Sequence, residues 1–223
     1  MSRLTSDPGE DSYPEWTPDG RRIAFASTLG NKLTPNLYWQ RADGTGEAQR
    51  LTESSIRQFP TSWHPTGRFL AYIEESPRNV FDFDIMILPM EGDEISGWKP
   101  GKPTVFLDTP FRDSGTAFSP DGRWLAYHSN ESGPQEVYVR PFPGPGAKWQ
   151  ISTGGGTYPL WSRNRKELFY RAADETLMVA AFAAERDSFR AEKPRQWSPA
   201  RVPPGPAANR MFDLHPTASA SRC

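Results

Sequence analysis

The sequence predicts an all-β protein: an incomplete β-propeller, an open arc of about four four-stranded antiparallel blades with a stub at each end. Three observations predict it. One short phrase recurs four times at intervals of roughly 43–55 residues, the period of propeller blades. Each copy encodes a hairpin. Finally, 23 prolines and 18 glycines are spread among 8 Trp, 13 Phe and 7 Tyr, a mixture that punctuates many short strands and supplies their core.

The four copies are YPEWTPDGRRIAFAST (13–28), FPTSWHPTGRFLAYIEES (59–76), TAFSPDGRWLAYHSN (116–130) and YPLWSRNRKELFYRAA (158–173). Each begins with a strand ending on an anchor aromatic: Trp16, Trp63, Phe118 or Trp161. Pro18, Pro65 and Pro120 then preset φ for a type I turn, and Gly20, Gly67 and Gly122 accept the positive φ that follows. The fourth copy has Arg163-Asn164-Arg165 instead. If the left-handed conformation were kept, Arg165 would cost roughly 1 kcal/mol. A reshaped turn is therefore expected there, and Arg165→Gly is expected to be neutral or stabilising.

The second strand alternates, with Ile23/Phe25, Leu70/Tyr72, Leu125/Tyr127 and Leu168/Tyr170 on one face. Ala24, Ala71 and Ala126 stand on the other, with Phe169 the exception. A small residue on one face describes a strand closely approached by a neighbouring sheet. A third strand follows at NLYWQ (36–40), DIMILP (84–89), EVYVRPF (136–142) and TLMVAAF (176–182), and a fourth at AQRLT (48–52), TVFLDT (104–109), KWQIST (148–153) and PRQWS (194–198). Four antiparallel strands per repeat make a propeller blade. The blades fall at about 11–52, 58–109, 112–153 and 157–198. A tandem of immunoglobulin-like sandwiches lacks its cysteines here, and a β-helix has a shorter period.

The phrase SPDGRWLAY, with TPDGRRIAF and HPTGRFLAY, resembles the WD-like propeller repeat of the TolB type over roughly residues 3–216. The stretch 136–182 resembles the propeller region that follows the catalytic domain in bacterial serine/threonine protein kinases. These resemblances imply a ligand- or protein-binding module without a catalytic group of its own. The kinase-linked architecture further implies a parent tethered in the inner membrane with its propeller in the periplasm. Two other architectures fit the repeat: a TolB-like periplasmic scaffold and the propeller domain of a prolyl-oligopeptidase-like serine peptidase.

At the ends, Arg3-Leu4-Thr5 matches Arg50-Leu51-Thr52, the close of a blade, and MFDLHP (211–216) matches the start of a hairpin. The stubs are placed at 1–7 and 208–216, and 217–223 is expected to be a disordered or out-of-frame tail. Exposed blade faces at such ends would favour self-association.

A formal charge of −1 leaves no global basic field for nucleic acid or an anionic membrane. No apolar run approaches the length of a membrane span, and the first residues lack an apolar signal-peptide core, so the chain as it stands is expected to be soluble and unexported. Cys223, the single cysteine, rules out an internal disulfide or a thiolate-rich metal site. No cofactor and no metal are expected. Phe81-Asp82-Phe83-Asp84 lacks the glycine of a kinase metal-binding loop and is read as a blade loop. Gly154-Gly155-Gly156 lacks the helix and lysine of a phosphate cradle. There is no GxSxG nucleophile elbow, and His64, His128 and His215 have no ligand spacing on one face. An enzyme is not expected.

Specificity is left to the loops before each inner strand, which vary while the turns repeat. They place Asp11 and Tyr13, Arg57 and Gln58, Arg112 and Asp113, and Tyr158 at one mouth of the propeller, as candidates to bind a protein or small-molecule ligand.

Overall fold

The computed structural model of the chain describes residues 5, 9–30, 33–93, 95–144, 146–185, 188–203 and 212–213. Of the end stubs only Thr5, Phe212 and Asp213 fall among them, and the tail 217–223 lies outside the described residues. The fold class is the one the repeat predicts: all-β, with four antiparallel propeller-type blades and, among the described residues, no sheet closed into a barrel.

The first sheet runs β1 (Asp11–Trp16), β2 (Arg22–Ser27), β3 (Asn36–Arg41) and β4 (Gln49–Arg50). The second runs β5 (Gln58–Trp63), β6 (Phe69–Ser76) and β7 (Asn79–Glu91). There β9 (Thr104–Leu107) is the outer strand, and β8 (Lys99–Pro100) pairs with the far end of β7. The third runs β10 (Ser114–Phe118), β11 (Trp124–Ser129), β12 (Glu136–Pro141) and β13 (Trp149–Gln150). The fourth runs β14 (Gly156–Trp161), β15 (Glu167–Ala172) and β16 (Thr176–Glu185). Its outer strand is β18 (Arg195–Arg201), and β17 (Ser188–Ala191) folds back on the end of β16. The chain divides into two compact units, 1–116 and 117–223.

The hairpin after each anchor is built from the same bonds. Thr17, His64, Ser119 and Ser162 each donate their N–H across the turn, to the carbonyls of Arg22, Phe69, Trp124 and Glu167. Their side chains lock the turn from within: Thr17 Oγ1 to Asp19, His64 Nδ1 to Thr66, Ser119 Oγ to Asp121 and Ser162 Oγ to Asn164, at 2.6–3.0 Å. Gly20, Gly67 and Gly122 hold φ of 68°, 71° and 72°. Arg165 is not among the described non-glycine residues with positive φ, which are Tyr13, Tyr158 and Glu175. The fourth turn is reshaped as expected, so Arg165 carries no strain for a glycine to relieve.

Within each unit an alanine face receives a neighbouring sheet. In unit 1, Ala24, Leu37 and Trp39 pack against Trp63, Leu70, Tyr72 and Leu88 of the second blade, and the indoles of Trp39 and Trp63 stack at 6.2 Å. In unit 2, Ala126, Val137 and Val139 meet Trp161, Leu168 and Tyr170, and the Trp161 indole N–H reaches the Ala117 carbonyl at 2.9 Å. Each pair therefore joins an alanine face to the next anchor-bearing face.

The third strand of every blade carries a buried polar residue, at its first position as Asn36, Glu136 and Thr176 and inside the longer β7 as Asp84. These tie down the chain leaving or entering the blade. The Asn36 amide donates to the carbonyls of Ser54 and Ile56 and accepts from Arg50. Glu136 accepts from Ser152 Oγ and from the Gly155 N–H. Burial demands such partners, and the partners fix the crossing loops, whose ends carry the candidate site residues.

Candidate functional site

Every inner strand whose register is described carries a β-bulge near its start. Register slips between Ser12 and Glu15 in β1, between Pro60 and Ser62 in β5, and between Thr157 and Leu160 in β14. A bulge re-aims the residues before it. Tyr13 and Tyr158 sit in this bend, three residues before their anchors, with φ of 56° and 54°, and Gly115 occupies the same place in the third blade at 62°.

In unit 1 the bend brings side chains from three loops together. The Tyr13 ring lies 4.7 Å from Phe59, and Phe59 meets Phe83 edge-on at 6.4 Å. The Arg57 guanidinium covers the Phe59 ring at 5.4 Å, and that of Arg112 covers Phe83 at 5.7 Å. Two guanidinium groups thus cover two adjoining aromatic rings, each in a cation–π contact. Arg57 gives one of its N–H groups to Glu75 at 2.9 Å while about half its side chain is exposed. Beside this cluster a cleft of about 740 Å³ opens between Glu10, Tyr13, Leu29, Arg57 and Phe59, within the size range of small-molecule sites.

The other candidates have different surroundings. Asp11 is exposed at the start of β1, opposite Ser27. The Gln58 amide is buried, accepting from Thr52 Oγ1 and donating to Glu74, both at 2.5 Å. Asp113 is buried beside Thr109, whose hydroxyl it accepts at 2.5 Å. Tyr158 belongs to unit 2, where its N–H donates to His128 Nδ1 at 3.3 Å and its ring meets the imidazole at 5.3 Å.

Phe59 belongs to the same variable stretch before an inner strand as Arg57 and Gln58, whereas Phe83 escaped the sequence reading. Phe83 was assigned to a loop, whereas Phe81 to Asp84 lie inside β7, paired so that Phe83 faces Glu75 and Asp84 faces Glu74. The Asp84 carboxylate is held by Arg78 at 3.0 Å, and Arg78 also bonds Asp108 and the Thr109 carbonyl. Burial, with Asp108 adding to it, nevertheless keeps the Asp84 carboxyl above the usual range. Among the described residues no group of three His, Cys, Asp or Glu side chains could hold a metal ion.

No family model matches the chain. It is 26% identical over 148 residues to an uncharacterized protein of Agrobacterium fabrum, covering 64% of this chain and 44% of that one. It is also 26% identical over 163 residues to the uncharacterized peptidase YuxL of Bacillus subtilis, covering 56% of this chain and 24% of the relative. The chain thus spans less than half the length of these relatives. Among solved structures it superposes on a TolB protein of Agrobacterium tumefaciens with a TM-score of 0.63 at 18% identity, over 81% of this chain and 64% of that one. TolB of Acinetobacter baumannii gives 0.57 at 19%, over 86% and 45%. The chain has the β-propeller fold of TolB-type proteins.

Proposed function

We propose that this chain is a non-catalytic binding module, and that its ligand or protein partner engages the end of unit 1 where Arg57 and Arg112 lie over Phe59 and Phe83. The single observation that carries the reading is this paired arrangement, contributed by two of the variable loops before inner strands. We assign the module to the region that follows the catalytic domain of a bacterial serine/threonine protein kinase, a reading supported by the resemblance of residues 136–182.

A second reading, the propeller domain of a serine peptidase, is favoured by the likeness to YuxL. The coding sequence on either side separates them: a kinase domain upstream supports the first, and a nucleophile elbow downstream supports the second. A signal peptide upstream with neither enzyme would indicate a periplasmic scaffold. Self-association belongs to the same proposal, since Trp16 is 57% exposed while its counterparts Trp63 and Trp161 are buried against the preceding blade.

The binding reading is tested by thermal-shift screening of a panel of amino acids, short peptides, nucleotides and organic acids. The panel is run against the wild type and against Arg57→Ala combined with Arg112→Ala. At least one compound is expected to raise the wild-type midpoint and not that of the variant. The variant itself should lose no more than about 1 kcal/mol, because its ion pair is half-exposed. A panel that shifts both proteins equally, or neither, contradicts the assignment of the site.

A further inference from the structure

The bulge before the anchor poses a question of cost. The third blade meets its positive φ with Gly115, which carries no penalty, whereas the first and fourth use tyrosine. A non-glycine residue there costs on the order of 1–2 kcal/mol. In unit 1 that strain fixes the Tyr13 ring against Phe59 on the wall of the 740 Å³ cleft.

The cleft carries one charge of each sign. Arg57 supplies a guanidinium whose single carboxylate partner among the described residues is Glu75. Glu10 is exposed and makes no ion pair among the described residues. Its backbone is fixed, because its N–H donates to Thr28 Oγ1 at 2.9 Å and its carbonyl accepts from the Thr28 N–H at 3.2 Å. Tyr13 lines the space with ring surface, Leu29 adds a further apolar residue, and Phe59, 6% exposed, backs the Tyr13 ring.

We infer that this cleft binds a small aromatic zwitterion, an amino acid or a short peptide, with its carboxylate on Arg57, its ammonium on Glu10 and its ring against Tyr13. A guanidinium fork matches a carboxylate, a carboxylate matches an ammonium, and ring faces accept an aromatic side chain in offset or edge-on contact. Each part of the ligand thus has a chemically matching group on the cleft wall. Tyr13 is kept, at the expense of strain, because glycine would satisfy the backbone and leave the ring site empty.

The inference rests on unit 1 being a binding site, and its test is separable from that reading. Isothermal titration of the full chain would use L-phenylalanine, L-phenylalanyl-L-phenylalanine, 3-phenylpropionate, which lacks the ammonium, and phenethylamine, which lacks the carboxylate. Saturable binding is expected for at least one of the first two, and the stronger of them identifies amino acid or peptide as the source. Phenylpropionate and phenethylamine should each bind about tenfold or more weaker. Tyr13→Gly and Arg57→Gln should weaken the zwitterion by a similar factor.

Tyr13→Gly should leave the thermal midpoint unchanged or raised, since strain is relieved as packing is lost. A merely structural tyrosine would lower the midpoint and leave binding intact. Absence of saturable binding by both zwitterions overturns the inference, as does equal binding of phenylpropionate or full affinity in Tyr13→Gly. If the zwitterions fail while another compound of the panel still depends on Arg57 and Arg112, this inference falls and the binding reading stands.

Discussion

Phe189→Ala lowers the stability of unit 2 by about 3–5 kcal/mol, the range for removing a large side chain from a packed core. Phe189 is 3% exposed although it stands on a four-residue strand, β17. Its ring lies 5.2 Å from Trp124, 5.9 Å from Trp149, 6.0 Å from Trp161 and 5.1 Å from Phe182. It therefore closes an aromatic cluster drawn from both sheets of the unit, and alanine would leave four rings facing a void. Phe189→Leu keeps most of the volume and should cost about 1.5 kcal/mol or less. Urea unfolding followed by tryptophan fluorescence measures both. A loss under about 1 kcal/mol for the alanine variant would mean that β17 does not dock on the Trp124 face.

Gly122→Val has the next largest effect, a loss of about 2–3 kcal/mol, because a β-branched residue at φ 72° is held in a conformation it strongly disfavours. Gly122→Ala should cost nearer 1 kcal/mol. The matching change in the fourth blade, Arg165→Val, should stay within about 0.5 kcal/mol, since Arg165 is exposed and does not hold a positive φ. Arg165→Gly is expected to cost a few tenths of a kcal/mol to about 1, through the greater freedom of the unfolded chain. This reverses the sign expected from the sequence, which supposed strain that the reshaped turn has removed. Denaturant unfolding of the four variants tests the contrast; a harmless Gly122→Val would break the register of the third hairpin.

The blades were legible because their information is local and repeated. Trp16, Trp63, Phe118 and Trp161 are followed by turns whose chemistry is written in adjacent residues, and in the first three copies Ala24, Ala71 and Ala126 announce a close neighbour. The added hairpins were not legible, for two different reasons. Residues 79–83 of β7 include Asn79 and Asp82 and show no clean period of two. Their place is set by pairing with β6, through Ser76↔Asn79 and Glu75↔Phe83. In Ser188–Ala191 one aromatic among four residues gives no pattern, and Phe189 is placed by tertiary packing on distant tryptophans.

The candidate site divides in the same way. Tyr13, Arg57 and Arg112 could be found because they interrupt a repeated framework just before its inner strands. Gln58 and Asp113 occupy equivalent positions in sequence but are turned inward by the crossing loops. Sequence spacing does not distinguish the two orientations, since a bulge of one residue re-aims everything before it. Phe83 enters from the second blade's lengthened third strand, which the repeat period did not contain.

The central claim is that one four-stranded sheet is built four times in one register, and residue-resolved amide hydrogen exchange tests it most directly. The second strand of each blade is hydrogen-bonded on both edges, so Arg22–Ser27, Phe69–Ser76, Trp124–Ser129 and Glu167–Ala172 should form four slowly exchanging segments. The outer strands and the turns at Gly20, Gly67, Gly122 and Arg165 should exchange faster. Rapid exchange throughout any one of the four segments, Glu167–Ala172 above all, would contradict the repeat and with it the placement of the site.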